Sequence, residues 1–357
     1  MGLRAEWITD GERFAALAEP WDRLAAQSDG SPFSVHRWYS AWWHAFGTDA
    51  TLRTAVLWDG DELAAVFPGH QSEGELRLLA NTQTPVARPL ARDPEALEAL
   101  VAEVAAQADK ACLVRLPAQE GATRTLVDGI RGAGRLTLEE PDQVSPFVAI
   151  EGTWEDYRAR MKKRWSSADR KGRKMVRDHG AQFTMVEPPS DLDAQLERGL
   201  KVEASGWKGQ AGTAILSQPD SERFYREIAT SFHAAGELML SEILFDGECV
   251  AFDFCLLRGR GLYLLKTGFD EQYGSLSPGL VLRQETVRRC FELGLETHEL
   301  LGDDSEWKRR FATGERRHLT LRVMPRTPAG IVSYGYRRRL RPQLRTAYRA
   351  VKARRSK

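Results

Sequence analysis

The chain of 357 residues contains only four cysteines, Cys112, Cys249, Cys255 and Cys290, and no two stand in a Cys-x-x-Cys spacing. Thiols so few and scattered predict neither a zinc site nor a disulfide framework. No window approaches the roughly 18 consecutive apolar residues of a membrane-spanning helix. The N-terminus, MGLRAEWITDGERFAAL, lacks a basic segment followed by an apolar core, and Glu6 stands where a myristoylation signal needs Ser or Thr. The seven histidines are dispersed, and there is no Gly-x-Ser-x-Gly elbow, Walker loop or metal-ligand spacing. A Ser-His-Asp hydrolase therefore finds no support, no metal is expected, and the expected compartment is the reducing cytoplasm.

What is present describes an ordinary globular chain, 42% apolar and 28% charged. Its length suits two domains of roughly 150–180 residues. The formal net charge of +1 conceals an asymmetry: residues 326–357 hold 11 Lys and Arg and no acid, which leaves 40 basic against 50 acidic residues elsewhere. The tail is a separate electrostatic object.

An internal echo organises the rest. VLWDGDELAAVF (residues 56–67) and ILFDGECVAFDF (residues 243–254) each place Asp-Gly between two apolar runs, the mark of a hairpin. One hairpin near the middle of each half points to a duplicated domain. In the first half, PFSVHRWYSAWWHAFG carries a dense aromatic face, read as a packing surface. Helices mixed with antiparallel hairpins predict an α+β fold. The expected domains are residues 1–150 and 151–325, followed by the tail 326–357.

At the start of the second half, Thr153 and Asp156 form a capping box for a helix interrupted at Ser166-Ser167 and stopped by Gly180. Helices are expected at 191–205, 221–235 and 280–293, and strands at 238–245, 249–257 and 262–269. THELLG adds a strand, and HLTLRVM alternates like an edge strand.

Four stretches could carry chemistry. With Gly259-Arg260 as a two-residue turn, Asp253 falls opposite Lys266, a carboxylate and an ammonium side by side within apolar strands. That pair is either structural or a site couple facing a cleft. EASGWKGQAGTAI offers Glu203, Trp207 and Lys208 in a glycine-flanked loop, the kind that covers sites. LGDDSEWKRRF places Asp303, Asp304 and Lys308 just beyond a strand end, where acid/base groups are found and where a helix start also wants acids. In KTGFDEQYGSLSPGLVL, Ser277, Pro278 and Gly279 read as cap, first helical residue and close follower, an arrangement that also suits an anion. Residues 158–177 carry ten Lys and Arg against one Asp, read as a solvated helix face.

These stretches, taken in order, resemble the GNAT acyltransferase superfamily. The likeness is to its tandem-domain branch of CelD/BcsL-type acetyltransferases, which is related to the FemAB/FemX peptidyltransferases. It spans about residues 20–325, and 154–310 looks closest. The resemblance implies two GNAT-like domains, the second carrying the donor site, with acetyl-CoA or another acyl-CoA as co-substrate. Thr267, Gly268, Tyr273, Gly274, Ser277, Pro278 and Gly279 would hold the donor. Glu203, Trp207, Lys208 and Asp303 would face the acceptor. Asp253, Lys266, Asp304 and Lys308 would be the catalytic set, with Asp253 the preferred base. The family's Gln/Arg-x-x-Gly-x-Gly/Ala loop is reduced to EQYGSLSPG. The expected reaction moves an acyl group to an amine of a sugar or amino-acid-like acceptor, in polysaccharide or cell-envelope biosynthesis. The alternatives are a Fem-like transfer from aminoacyl-tRNA and a non-catalytic scaffold of a polysaccharide-synthesis complex. The tail from Arg337 to Lys357 would dock on the acidic body, lie on an anionic membrane at the inner face, or contact tRNA.

Overall fold

The computed structural model describes residues 2–28, 30–206, 209 and 211–340. Contacts divide the chain into two units, neither continuous in sequence. The first takes residues up to Ser28, Asp49–Asp142 and the chain from Arg317 onward; the second takes Gln143–Arg316 together with the segment ending at Thr48. The linear split at residue 150 is therefore not the one the contacts follow.

In the first unit, strands Arg4–Ile8, Thr54–Asp59, Glu62–Phe67 and Leu90–Ala91 form an antiparallel sheet. The Asp-Gly hairpin exists, with Gly60 at φ +60 in the turn and Asp59 pairing Glu62. Phe67, Leu100, Val104, Leu126 and Ile130 belong to its apolar core. HLTLRVM lies in strand Gly314–Met324, between Leu136–Ala149 and Ala111–Pro117. It is thus not an edge strand. Successive residues from His318 to Leu321 are all buried, which a one-sided edge would not allow.

The second unit contains α1 (His36–Phe46), α2 (Lys162–His179), β1 (Gln182–Glu187), α3 (Leu192–Ser205), α4 (Pro219–Ala234), β2 (Leu238–Phe245), β3 (Glu248–Arg258), β4 (Gly261–Phe269), α5 (Pro278–Glu292) and β5 (Thr297–Glu299). The aromatic face of α1 serves this unit: the Trp38 ring meets Phe224 edge-on at 5.1 Å, and Arg37 Nη1 donates to Glu237 at 2.8 Å. Ahead of α2, Thr153 and Asp156 close the capping box of a short helix, Trp154–Arg160. The break comes at Met161, and α2 runs through Ser166-Ser167 to Gly180, which caps it at φ +56.

Strands β1 to β4 run antiparallel in chain order, and β4 pairs in parallel with β5. Asp246 and Gly247 both take positive φ in the β2–β3 turn, which is why Asp-Gly stands there. The β3–β4 turn is Gly259-Arg260, as the sequence predicts. Beyond Cys255, however, the register slips: Cys255 pairs Leu264, while Phe254 pairs Lys266. Leu265 is the extra residue of a bulge, and one residue of slip sends each following side chain to the opposite face. Asp253 consequently faces Thr267 across the ladder, not Lys266.

Helix α3 lies on this sheet through two close approaches. A Cβ on Gly199 would stand 2.3 Å from the Phe252 ring, and one on Gly268 would stand 2.6 Å from Glu203 Cα. Hence Gly199→Ala must displace Phe252, and it should lower unfolding stability by about 1–3 kcal/mol in a urea titration with little change in helix content.

Candidate active site

The chemistry of the second unit gathers where β4 parts from its neighbour. Pairing with β5 covers only Gly261 to Tyr263. A cavity of about 360 Å³ opens farther along, walled by Thr267, Gly268 and Phe269 of β4 and by Gly279, Leu280 and Arg283 of α5. Val202 and Glu203 of α3 contribute to the wall, as do Trp307 and Phe311 from the segment after β5.

Arg283 was not singled out from sequence, yet it anchors the site. It is 1% exposed. Its Nη2 donates to Asp253 Oδ1 at 2.7 Å and lies 3.5 Å from Thr267 Oγ1, and its Nη1 lies 3.1 Å from His298 Nε2. Burial and the adjacent guanidinium push the His298 pKa down to about 3, so the imidazole is neutral. Its Nε2 accepts from Arg283, which puts the ring proton on Nδ1, 3.2 Å from the Leu262 carbonyl. The guanidinium also lies over the Trp307 ring, 5.5 Å from its centroid. The signal for Arg283 was present in the sequence: Leu280, Arg283, Val287 and Cys290 follow helical spacing, a cation inside an apolar stripe.

Asp253, the expected base, is fully buried and sits behind Arg283 rather than on the cavity wall. Lys266 is also off the wall, with its ammonium 5.0 Å from the Tyr225 ring centroid. Asp304 pairs with Arg309 Nε at 2.8 Å. Lys308 Nζ donates to the carbonyls of Leu301 and Asp303, pinning the turn after β5. Neither Asp303, Asp304 nor Lys308 lines the cavity. Trp207 and Lys208 lie outside the described residues.

Glu203 does line it, 2% exposed, with Oε2 accepting from Ile215 N–H at 3.0 Å. Burial, aided by the charge of Glu203, pushes the Tyr225 phenol upward and keeps it protonated. Of the expected donor residues, Thr267, Gly268, Gly274, Ser277 and Gly279 are on the wall. Tyr273 instead packs edge-on against Phe245 at 5.0 Å, and Pro278 is buried at the first position of α5. Ser277 stands at the N-cap in a left-handed conformation (φ +52) with no side-chain capping bond; its hydroxyl meets Lys171 Nζ of α2 at 2.6 Å. Part of the basic helix face thus reaches the cavity mouth. Among the described residues no group of His, Cys, Asp or Glu is arranged to hold a metal ion.

A strand parting from its parallel neighbour, followed by a loop and a helix N-terminus, invites comparison with known proteins. Residues 147–309 match the family model described as acetyltransferase (GNAT) domain. Over these residues the second unit is similar to a GNAT acetyltransferase domain. No curated protein matches the chain in sequence. Solved structures are similar over most of its length. One is the C-terminal domain (DUF2156) of a putative lysylphosphatidylglycerol synthetase from Agrobacterium fabrum, with TM-score 0.57, 14% identity, and 89% of this chain and 95% of that one covered. L-PGS from Bacillus licheniformis gives 0.55 at 12% identity, covering 92% and 96%. FemX gives 0.54 at 10% identity, covering 88% and 96%. At such identities the likeness is one of fold, a GNAT acyltransferase-like α+β architecture.

Two outcomes follow from the buried cluster. Asp253→Leu strands a guanidinium and should cost about 3–5 kcal/mol in urea unfolding, while Asp253→Leu with Arg283→Met should recover most of it. His298 stays neutral when folded but takes up a proton below about 6.5 when unfolded. The unfolded state therefore binds more protons, so stability should fall as pH drops from about 6.5 toward 3, and His298→Gln should flatten that slope.

Proposed function

We propose that this protein is an N-acyltransferase that takes an acyl group from a CoA thioester lying along β4 and gives it to an amine on a sugar or amino-acid-like acceptor. The observation that carries the reading is the cavity at the parting of β4 from β5, with the N-terminus of α5 at its mouth. The edge of β4 beyond Tyr263 has no β5 partner, so backbone N–H groups there can meet the oxyanion that forms when an amine attacks a thioester. Holding both reactants there supplies roughly 7–11 kcal/mol of the barrier.

An alkyl amine must shed a proton before it can attack. Glu203 is the carboxylate beside Gly268 on the wall, and it replaces Asp253 as the acceptor of that proton. The amine nitrogen bonds to the carbonyl carbon, the C–S bond breaks, and CoA leaves as the thiolate. Arg283 holds Thr267 and the adjoining wall in place.

A second reading changes the donor to aminoacyl-tRNA. It is favoured by the likeness in fold to FemX and by Glu271, a carboxylate on the cavity wall that would oppose a pyrophosphate. The two readings part in one experiment. CoA at about 100 times its dissociation constant should stabilise the protein by about 2.7 kcal/mol, seen as a rise in melting temperature. Acyl-CoA turnover over a panel of amines should then drop by about 10²–10³ in kcat for Glu203→Gln, with KM for acyl-CoA little changed. No shift with CoA, together with turnover of aminoacyl-tRNA, would transfer the assignment to the second reading.

A further inference from the structure

The segment that follows strand Gly314–Met324 in the first unit is built to stay at the surface. Thr327 caps helix Pro328–Gly335 by accepting from Gly330 N–H at 3.2 Å, and Pro328 occupies its first position. A Cβ on Gly330 would stand 2.0 Å from the Pro325 carbonyl, so the turn into this helix requires glycine. The helix then presents Ile331 at 55% exposure and Val332 at 71%, with Tyr336 at 47% one turn beyond Val332. Half of the large apolar side chains exposed among the described residues fall within these six positions. Arg337, Arg338 and Arg339 follow at once, and residues 326–357 carry 11 Lys and Arg with no acid.

We propose that this helix, with Arg337, Arg338 and Arg339 that follow it, is a docking surface for an anionic lipid bilayer. Three observations select that occupant. Docking on the protein's own acidic body would bury Ile331 and Val332, and both stand open. The ion pair that ties the segment back, Arg337 to Glu140, is stretched to 4.0 Å. Nucleic acid would use the arginines but gain nothing from two branched aliphatic side chains, which do not stack on bases. A bilayer rewards both halves: aliphatic and tyrosyl side chains enter the headgroup boundary, and each basic residue near an anionic surface adds roughly fivefold in affinity. Leu344, Tyr348 and Val351, which extend the apolar pattern in sequence, lie outside the described residues.

The test is flotation of the full-length protein with vesicles of phosphatidylcholine alone and of phosphatidylcholine with phosphatidylglycerol in equal parts. The protein should float with the anionic vesicles only, and less as salt rises. Arg337→Gln, Arg338→Gln and Arg339→Gln together should weaken binding on the order of a hundredfold. Ile331→Ser with Val332→Ser should weaken it roughly tenfold. All five side chains are at the surface, so the melting temperature should not move. No flotation with anionic vesicles at low salt overturns the proposal. Binding indifferent to Ile331→Ser with Val332→Ser overturns it too, and salt-sensitive binding of RNA without flotation reassigns the segment to nucleic acid.

Discussion

The second unit depends on one buried ion pair. Arg283 on α5 and Asp253 on β3 are both withdrawn from water, and neither charge could remain there without the other. The pair fixes the roll of α5 about its own axis. Gly279 and Leu280 come to the cavity as a result, because they lie four and three residues before Arg283 on the same helical face. Thr286, also on α5, lies 3.5 Å from the second oxygen of Asp253, and neutral His298 on β5 takes the other arm of the guanidinium. One cluster thus links α5, β3 and β5. The ion pairs at the surface, such as Arg309 with Asp304, have no comparable role, since solvent screens them and their side chains are free to move apart.

Much of this unit is legible in sequence for a plain reason. β2, β3 and β4 are largely apolar runs divided by turns that each hold a residue at positive φ, so both composition and punctuation agree. The bulge is not legible. Cys255 pairs Leu264 in either register; whether Leu265 then pairs Phe254 or bulges out of the ladder decides whether Asp253 meets Lys266 or Thr267. Local pattern likewise shows that His36–Phe46 has an aromatic face to bury, but not that it is buried against Phe224, nearly 190 residues downstream. Contacts of that range are set by packing, which no window of sequence contains.

The charged cluster after β5 shows how two readings of the same residues separate. Leu301 and Gly302 both take positive φ, so the strand ends in a strained turn with its carbonyls turned away from the ladder. Lys308 answers two of those carbonyls, at Leu301 and Asp303, and Asp304 answers Arg309. With the turn tied down, Trp307 is held over Arg283 and Phe311 reaches the cavity. These residues shape the site without entering it.

The loop before α5 raises the question of how an anion would be received. A glycine-rich turn receives phosphate with converging backbone N–H groups. Here Gly274 and Gly279 are separated by four residues, and Ser277 alone takes the left-handed conformation between them. The positive charge at this point is a side chain, Lys171, brought in from α2 to the Ser277 hydroxyl. Asp270 is spent on capping its own turn, accepting from Gln272 N–H at 3.0 Å, while Glu271 stands on the wall. Attraction from the helix N-terminus and Lys171 is therefore set against repulsion from Glu271. If a phosphorylated donor binds here, its phosphates contribute less than in a glycine-rich cradle, and the apolar wall of Val202, Phe269, Leu280 and Phe311 carries more of the selection.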